Sequence, residues 1–361
     1  MPIPHKITTF ALSIHMKKIL AILIITLLTI SLPQLLSCKK DQDAKGLTSF
    51  TQEIPAGFPQ PLYKFEDNPL TEEGFELGRR LFYDGRLSAD TQHACASCHQ
   101  QVAAFGTFAH DRSHGVHDSH TLRNAPSLFN LAWSPVLHWD GAYKSLLDEA
   151  YQPITGHVEM GENFENIIGR LQADPDYRER FKKVFKYPFI RPEFISKALA
   201  QFTGTMVSAN SRFDQYKRGS LSLNSQELSG YQIYKDKCAS CHPEPLFTDF
   251  SMRNNGLPID NVLKDYGRML VTGDKNDSLK FKVPSLRNLV FSANYMHDGR
   301  FITLGQTMNQ YRTNVQAGPT LDPLLTGGVS LTNSQNIDLI EFLRTLTDSS
   351  FIRNPRFSNP F

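Results

Sequence analysis

The chain has 361 residues and 40% apolar content, enough for two compact domains rather than one oversized core. Lysine and arginine total 38 against 36 aspartates and glutamates, a net charge of +2, which excludes the basic field that nucleic-acid binding requires. With 22 glycines and 21 prolines it reads as a globular chain with many turns, not as a disordered or collagen-like one.

In chain order, the first signal is Met16, Lys17 and Lys18 ahead of an apolar run over residues 19–36, then Ser37, Cys38 and a polar stretch. A basic flank, an apolar stretch and a small residue before cysteine describe an export signal, so residues 1–37 are expected to be a signal peptide starting at Met16. The segment Leu35-Leu36-Ser37-Cys38 resembles a bacterial lipobox, which makes Cys38 a lipidated residue and 38–64 a tether. An uncleaved anchor is the alternative, since about 18 apolar residues just cross a bilayer. Both place the body outside the cytoplasm, on the periplasmic side of a bacterial membrane.

Residues 74–82 have helical apolar spacing, and 228–234 repeat it. After each comes the same pentapeptide, Cys95-Ala96-Ser97-Cys98-His99 and Cys238-Ala239-Ser240-Cys241-His242. Cys-x-x-Cys-His is the attachment signature of c-type haem: the thiols add to the porphyrin and the adjoining histidine ligates iron. Disulfides or zinc would also use cysteine pairs, but neither asks for a histidine after each second cysteine. Further on, APSLFNLAWSPVLHWDG (125–141) aligns without a gap to VPSLRNLVFSANYMHDG (283–299), with eight of seventeen positions identical. A repeat at matching places after each motif predicts two tandem copies of one cytochrome unit.

Between the copies, Pro192 opens a predicted helix carrying Phe194, Ile195, Ala198, Leu199, Phe202 and Met206. Polar residues 208–224 read as a linker. Near the C-terminus Asn333 or Ser334 is expected to cap a helix bearing Ile337, Leu339, Ile340, Phe342 and Leu343. The fold expected is mainly α: two tandem c-type cytochrome domains over 65–217 and 218–346, each with one covalent haem, and an extended tail, 347–361, folding back on the first.

The two haem motifs, the Asn-Ala-Pro-Ser-Leu segment from Asn124, Trp139-Asp140-Gly141, Val158-Glu159-Met160 and the 295–299 segment Tyr-Met-His-Asp-Gly together resemble the bacterial dihaem cytochrome c peroxidases, including MauG-type enzymes. The resemblance covers nearly all of 65–345. It implies reduction of hydrogen peroxide at a first haem ligated by His99, fed by a second haem ligated by His242. The donor would be a small cytochrome c or a cupredoxin.

It further implies Glu159 as the acid/base carboxylate, Glu149 where the family often has a pocket glutamine, and Trp139 near the route between haems. Of His110, His114, His117 and His120, it points to His114, then His117, as a displaceable ligand of the first haem. The second haem would take Tyr311, fourteen residues after His297, or Met308 one turn earlier, as its sixth ligand. Asn124, Ser292 and Asn294 match a family calcium site, and a homodimer would fit the family. A MauG-type oxidase acting on a protein side chain and a non-catalytic electron carrier are the competing readings.

Overall fold

The computed structural model describes residues 46–108 and 110–361; the predicted signal peptide and Cys38 lie outside them. The first helix, α1 (Glu72–Tyr83), starts where the Thr71 side chain accepts from the Gly74 amide, with Glu72 and Glu73 in its positive first turn. Phe75, Leu77, Leu81 and Phe82 form its buried face. One turn, α2 (Cys95–Cys98), holds the first pentapeptide. Short helices α3 (Leu146–Glu149) and α4 (Tyr151–Thr155) precede α5 (Phe164–Ala173), α6 (Pro175–Phe185) and α7 (Pro192–Gly204). Helix α7 packs across α1, and its Ile195, Ala198, Leu199 and Phe202 share a core with the α1 face.

The stretch read as a linker is more structured than its polarity suggests. It carries α8 (Arg212–Lys217), closed by a capping box between Ser211 and Asp214. Phe213 is buried in the second core, and Asp214 receives both terminal nitrogens of the fully buried Arg287 at 2.8 Å. Helix α9 (Ser225–Lys237) follows, then β1 (Met252–Arg253), α10 (Met269–Thr272) and β2 (Phe281–Lys282). The two strands pair antiparallel over two residues each, so the structure is mostly helical. Helices α11 (Leu304–Thr313) and α12 (Asn333–Thr345) complete this half, α12 packing across α9. The cap of α12 is Thr332, one residue before the expected site, because its hydroxyl accepts from the Gln335 amide while Gln335 reaches back to the Thr332 amide.

Two ends also differ from the reading of sequence. Within the expected tether, residues from 48 onward lie against the body: Phe50 packs on Phe75, and the Trp133 indole donates to the Pro59 carbonyl at 2.7 Å. The tail is not simply extended. Asp348 caps a short helix, α13 (Ser349–Ile352), and Phe351 and Phe357 are buried in the same core as α1 and α7. Among the described residues no helix is long and apolar enough to cross a membrane.

Candidate active site

Both pentapeptide histidines are set up as ligands. His99 follows α2, and its Nδ1 lies 2.9 Å from the Phe105 carbonyl, brought there by a turn with Ala104 and Phe105 at φ 53° and 60°. In the second copy the Nδ1 of His242 is 3.1 Å from the carbonyls of Phe247 and Pro284, and Phe247 is again left-handed at φ 56°. A carbonyl partner fixes the proton on Nδ1 and leaves the Nε2 lone pair for iron. Burial lowers the pKa of both imidazoles, favouring the neutral form a ligand needs. The four cysteines form no disulfide, and burial pushes the Cys95 and Cys238 thiols up to about 12. Among the described residues no three His, Cys, Asp or Glu side chains are arranged to hold a bare metal ion.

Beside Cys238, Cys241 and His242 lies a cavity of about 290 Å³ with a largely apolar wall. Lys282 lines it and has no carboxylate partner among the described residues; burial brings its ammonium down to about 8. A haem, apolar in its ring and bearing two carboxylates, suits such a wall and such a cation. The residues present therefore fit the group.

Met308 and Tyr311, both on α11, line the same cavity. The Tyr311 hydroxyl is 3.3 Å from the Asn255 amide nitrogen, which also lies 3.7 Å from the Met296 sulfur. Burial raises the Tyr311 pKa against the opposing Asn255 hydrogen bond. Met296 is thus a further side chain at this site that sequence reading did not count.

The first motif faces carboxylates instead. Glu159 sits in the turn after α4, its amide bonded to the Gly156 carbonyl and its own carbonyl accepting from the Val116 amide at 2.8 Å. Gly115 is required beside it: a Cβ there would lie 2.2 Å from the Val158 carbonyl oxygen. The Glu159 carboxylate accepts from the Gln152 amide at 2.6 Å. Burial, with the charge of Glu149, raises its pKa above the usual carboxyl value, outweighing Gln152 and His138.

Glu149 shows the reverse. Burial raises its pKa, but the His138 hydrogen bond and charge leave it below normal. His138 Nε2 stands 3.4 Å from Glu149 Oε1; burial lowers the imidazole pKa, and Glu149, Asp140 and Glu159 more than reverse that. The charges of Glu149 and Glu159 reach Cys95 and Cys98 respectively, so the carboxylates border the first haem motif.

The candidate displaceable histidines lie on a loop that runs beside the first motif. His114 is exposed, its ring between those of His110 and His120 at centroid distances of 4.2 and 4.1 Å. The His114 to His120 bridge and the Val116 to Glu159 hydrogen bond orient this loop, so the His114 carbonyl, not the ring, approaches the Cys98 sulfur at 3.7 Å. His117 is exposed too. Trp139 lines the second cavity, and its indole donates to the Asn124 carbonyl at 2.9 Å. Asn124, Ser292 and Asn294 all border that cavity. Sequence reading missed His138 and Lys282; His138 was visible only as the residue before Trp139, aligned with Met296 in the repeat.

The family model for di-haem cytochrome c peroxidase matches residues 72–222. Cytochrome c551 peroxidase of Nitrosomonas europaea is 35% identical over 287 residues, 77% of this chain and 81% of that protein. Methylamine utilization protein MauG of Methylophilus methylotrophus is 33% identical over 301 residues, 81% and 86% of the two chains. Among solved structures, a MauG-like protein associated with microbial copper homeostasis superposes with a TM-score of 0.79 at 34% identity, covering 86% of this chain and 99% of that one.

Proposed function

From the premise that this chain belongs to the dihaem cytochrome c peroxidase family, we propose that it reduces hydrogen peroxide to water with electrons from a small exported cytochrome or cupredoxin. Haem bound at the two motifs would supply the iron centres and carry the electrons from the His242 side to the His99 side. Each turnover consumes one peroxide, two electrons and two protons and yields two waters. Glu159 takes the proton from one peroxide oxygen and returns it to the other. Gln152 holds the Glu159 carboxyl in place, and Trp139 is the residue proposed for the route between the haems.

The observation that carries the reading is Glu159: a carboxyl beside the first motif, anchored by an amide rather than a cation, with its pKa drawn upward by burial. General acid–base groups are tuned in this direction. In stopped-flow absorbance with peroxide, Glu159→Gln is expected to lower turnover on the order of 10² to 10⁴-fold. Unchanged turnover would make an electron carrier the better reading. Reaction of peroxide with the fully oxidised as well as the half-reduced protein would mean that neither His114 nor His117 caps the first haem. A strict need for half-reduction would support a displaceable histidine.

The position of Tyr311 beside Cys238, Cys241 and His242 favours a second reading, an oxidase of MauG type acting on a protein side chain. An anionic oxygen ligand would lower the potential of the second haem relative to a thioether. Loss of its spectral signature in Tyr311→Phe, but not in Met308→Leu, would select that ligand. A lipid anchor at Cys38 would hold the protein at a membrane outside the cytoplasm, and mass spectrometry of the mature N-terminus tests it. Asn124 with Ser292 and Asn294 is the corresponding proposal for calcium.

A further inference from the structure

Peroxide reduction needs two protons from outside the substrate, and a carboxyl that only passes a proton between the two oxygens supplies neither. Glu159 is half-buried, and the Gln152 amide that holds it offers no titratable proton, so a titratable neighbour is the natural source. The family resemblance places a neutral glutamine where this chain has Glu149. A charge there needs compensation, and the structure supplies it in His138, whose Nε2 faces Glu149 Oε1 at 3.4 Å.

The His138 placement is enforced. Its backbone is left-handed at φ 64°, a conformation uncommon for a residue other than glycine. The Leu137 to Tyr143 bridge and the Gly141 amide on the His138 carbonyl hold the turn, and the ring packs on Tyr143 at 4.8 Å. Met296, its counterpart in the repeat, is also left-handed at φ 73°, and both residues line the cavity beside the second motif. In both halves this turn therefore carries one side chain toward the haem motifs. In the first half that side chain is an imidazole. Both side chains are only partly buried, and Glu149 borders Cys95.

We propose that His138 and Glu149 form a proton-carrying pair that delivers protons from solvent to Glu159 during peroxide reduction. The inference rests on Glu159 being the acid/base group. His138 takes up a proton from water as imidazolium, Glu149 keeps the ion beside the pocket, and the proton passes to the Glu159 carboxylate, leaving neutral imidazole to be reprotonated. No electrons move in this step. The charged and titratable groups around the imidazole are Glu149, Asp140, Glu159 and Tyr143, with His99 on the side of the first motif.

His138→Asn tests the pair, since asparagine accepts a left-handed backbone and carries no titratable proton. With Glu149→Gln as the companion variant, peroxide turnover at saturating donor is expected to fall on the order of 10²-fold in each. The solvent deuterium isotope effect should rise while KM for peroxide changes little. Infrared pH-difference spectra give a readout independent of turnover: one imidazolium band of the parent should disappear in His138→Asn and move to lower pH in Glu149→Gln. Undiminished turnover in His138→Asn, beside an inactive Glu159→Gln, would overturn this inference and leave the peroxidase reading standing. Full activity of Glu159→Gln would instead remove its premise. A change of the oxidised haem spectrum in His138→Asn from low spin to high spin would make His138 an iron ligand and also overturn the proposal.

Discussion

The two halves of the repeat use the same joints and different teeth. In the first, Gly78 on α1 meets α7 so closely that a Cβ would lie 1.9 Å from the Ala198 carbonyl oxygen; in the second, Gly230 on α9 meets α12, with 2.0 Å to that of Asp338. Asn130 and Asn288, equivalent in the repeat, both adopt φ near 60° and both tie down chain leaving a core. Asn130 exchanges hydrogen bonds with the Ser208 backbone, and Asn288 accepts from the Asp348 amide at 2.8 Å. Each motif histidine bonds a carbonyl in a left-handed turn. The divergence follows the Asp-Gly turns: Glu149, Gln152 and Glu159 come after Gly141, whereas Met308 and Tyr311 come after Gly299. A common scaffold thus carries two carboxylates beside the first motif and a thioether and a phenol beside the second.

If the joints are truly equivalent, breaking either should cost alike. Gly78→Val and Gly230→Val force a side chain into backbone, and each is expected to destabilise by about 3 kcal/mol, at the upper end for overpacking. Thermal unfolding followed by haem absorbance measures both. A large loss in one and none in the other would show that only one helix crossing is under the constraint that the geometry gives to both.

The asparagines should rank next. Asn288→Ala leaves the buried Asp348 amide without its partner, and Asn130→Ala does the same to the Ser208 amide, so each should cost about 1–3 kcal/mol. Equal costs would confirm that the repeat conserves the tie as well as the sequence. A negligible cost at Asn130 would mark the first tie as dispensable.

The joints were legible in sequence because covalent chemistry and backbone geometry demand particular residues. Paired thiols with an adjoining histidine, and repeated Pro-Ser-Leu and Asp-Gly segments, leave few alternatives. Helices α1, α7 and α9 followed from apolar spacing for the same reason. The teeth were harder to read. His114 and His117 could be ranked only by resemblance, because a loop histidine carries no mark in sequence of which way it points. The segment 208–224 looked like a linker because Phe213 and the Asp214 to Arg287 pair are buried only through contacts far along the chain. His138 was overlooked because its partner, eleven residues later, becomes visible only once the turn at Tyr143 brings them together.

The smallest effect concerns the teeth themselves and has the opposite sign. Glu159 has its carboxyl pKa raised above 4.5 by burial, so the folded chain binds that proton more tightly than the unfolded chain does. Such a group favours folding below its unfolded pKa and loses that contribution as pH rises through the folded value. Above its folded pKa the ionised Glu159 therefore works against the fold, opposed by the Gln152 hydrogen bond. Glu159→Gln removes the titration, so the variant should be slightly more stable than the parent at neutral pH, and the gap should close as pH falls to about 4. Denaturant unfolding at the two pH values measures it. A variant less stable than the parent at neutral pH would mean that the carboxylate is a structural anchor for its turn. The expected gain in stability with loss of turnover would mark Glu159 as a residue kept for chemistry against the interest of the fold.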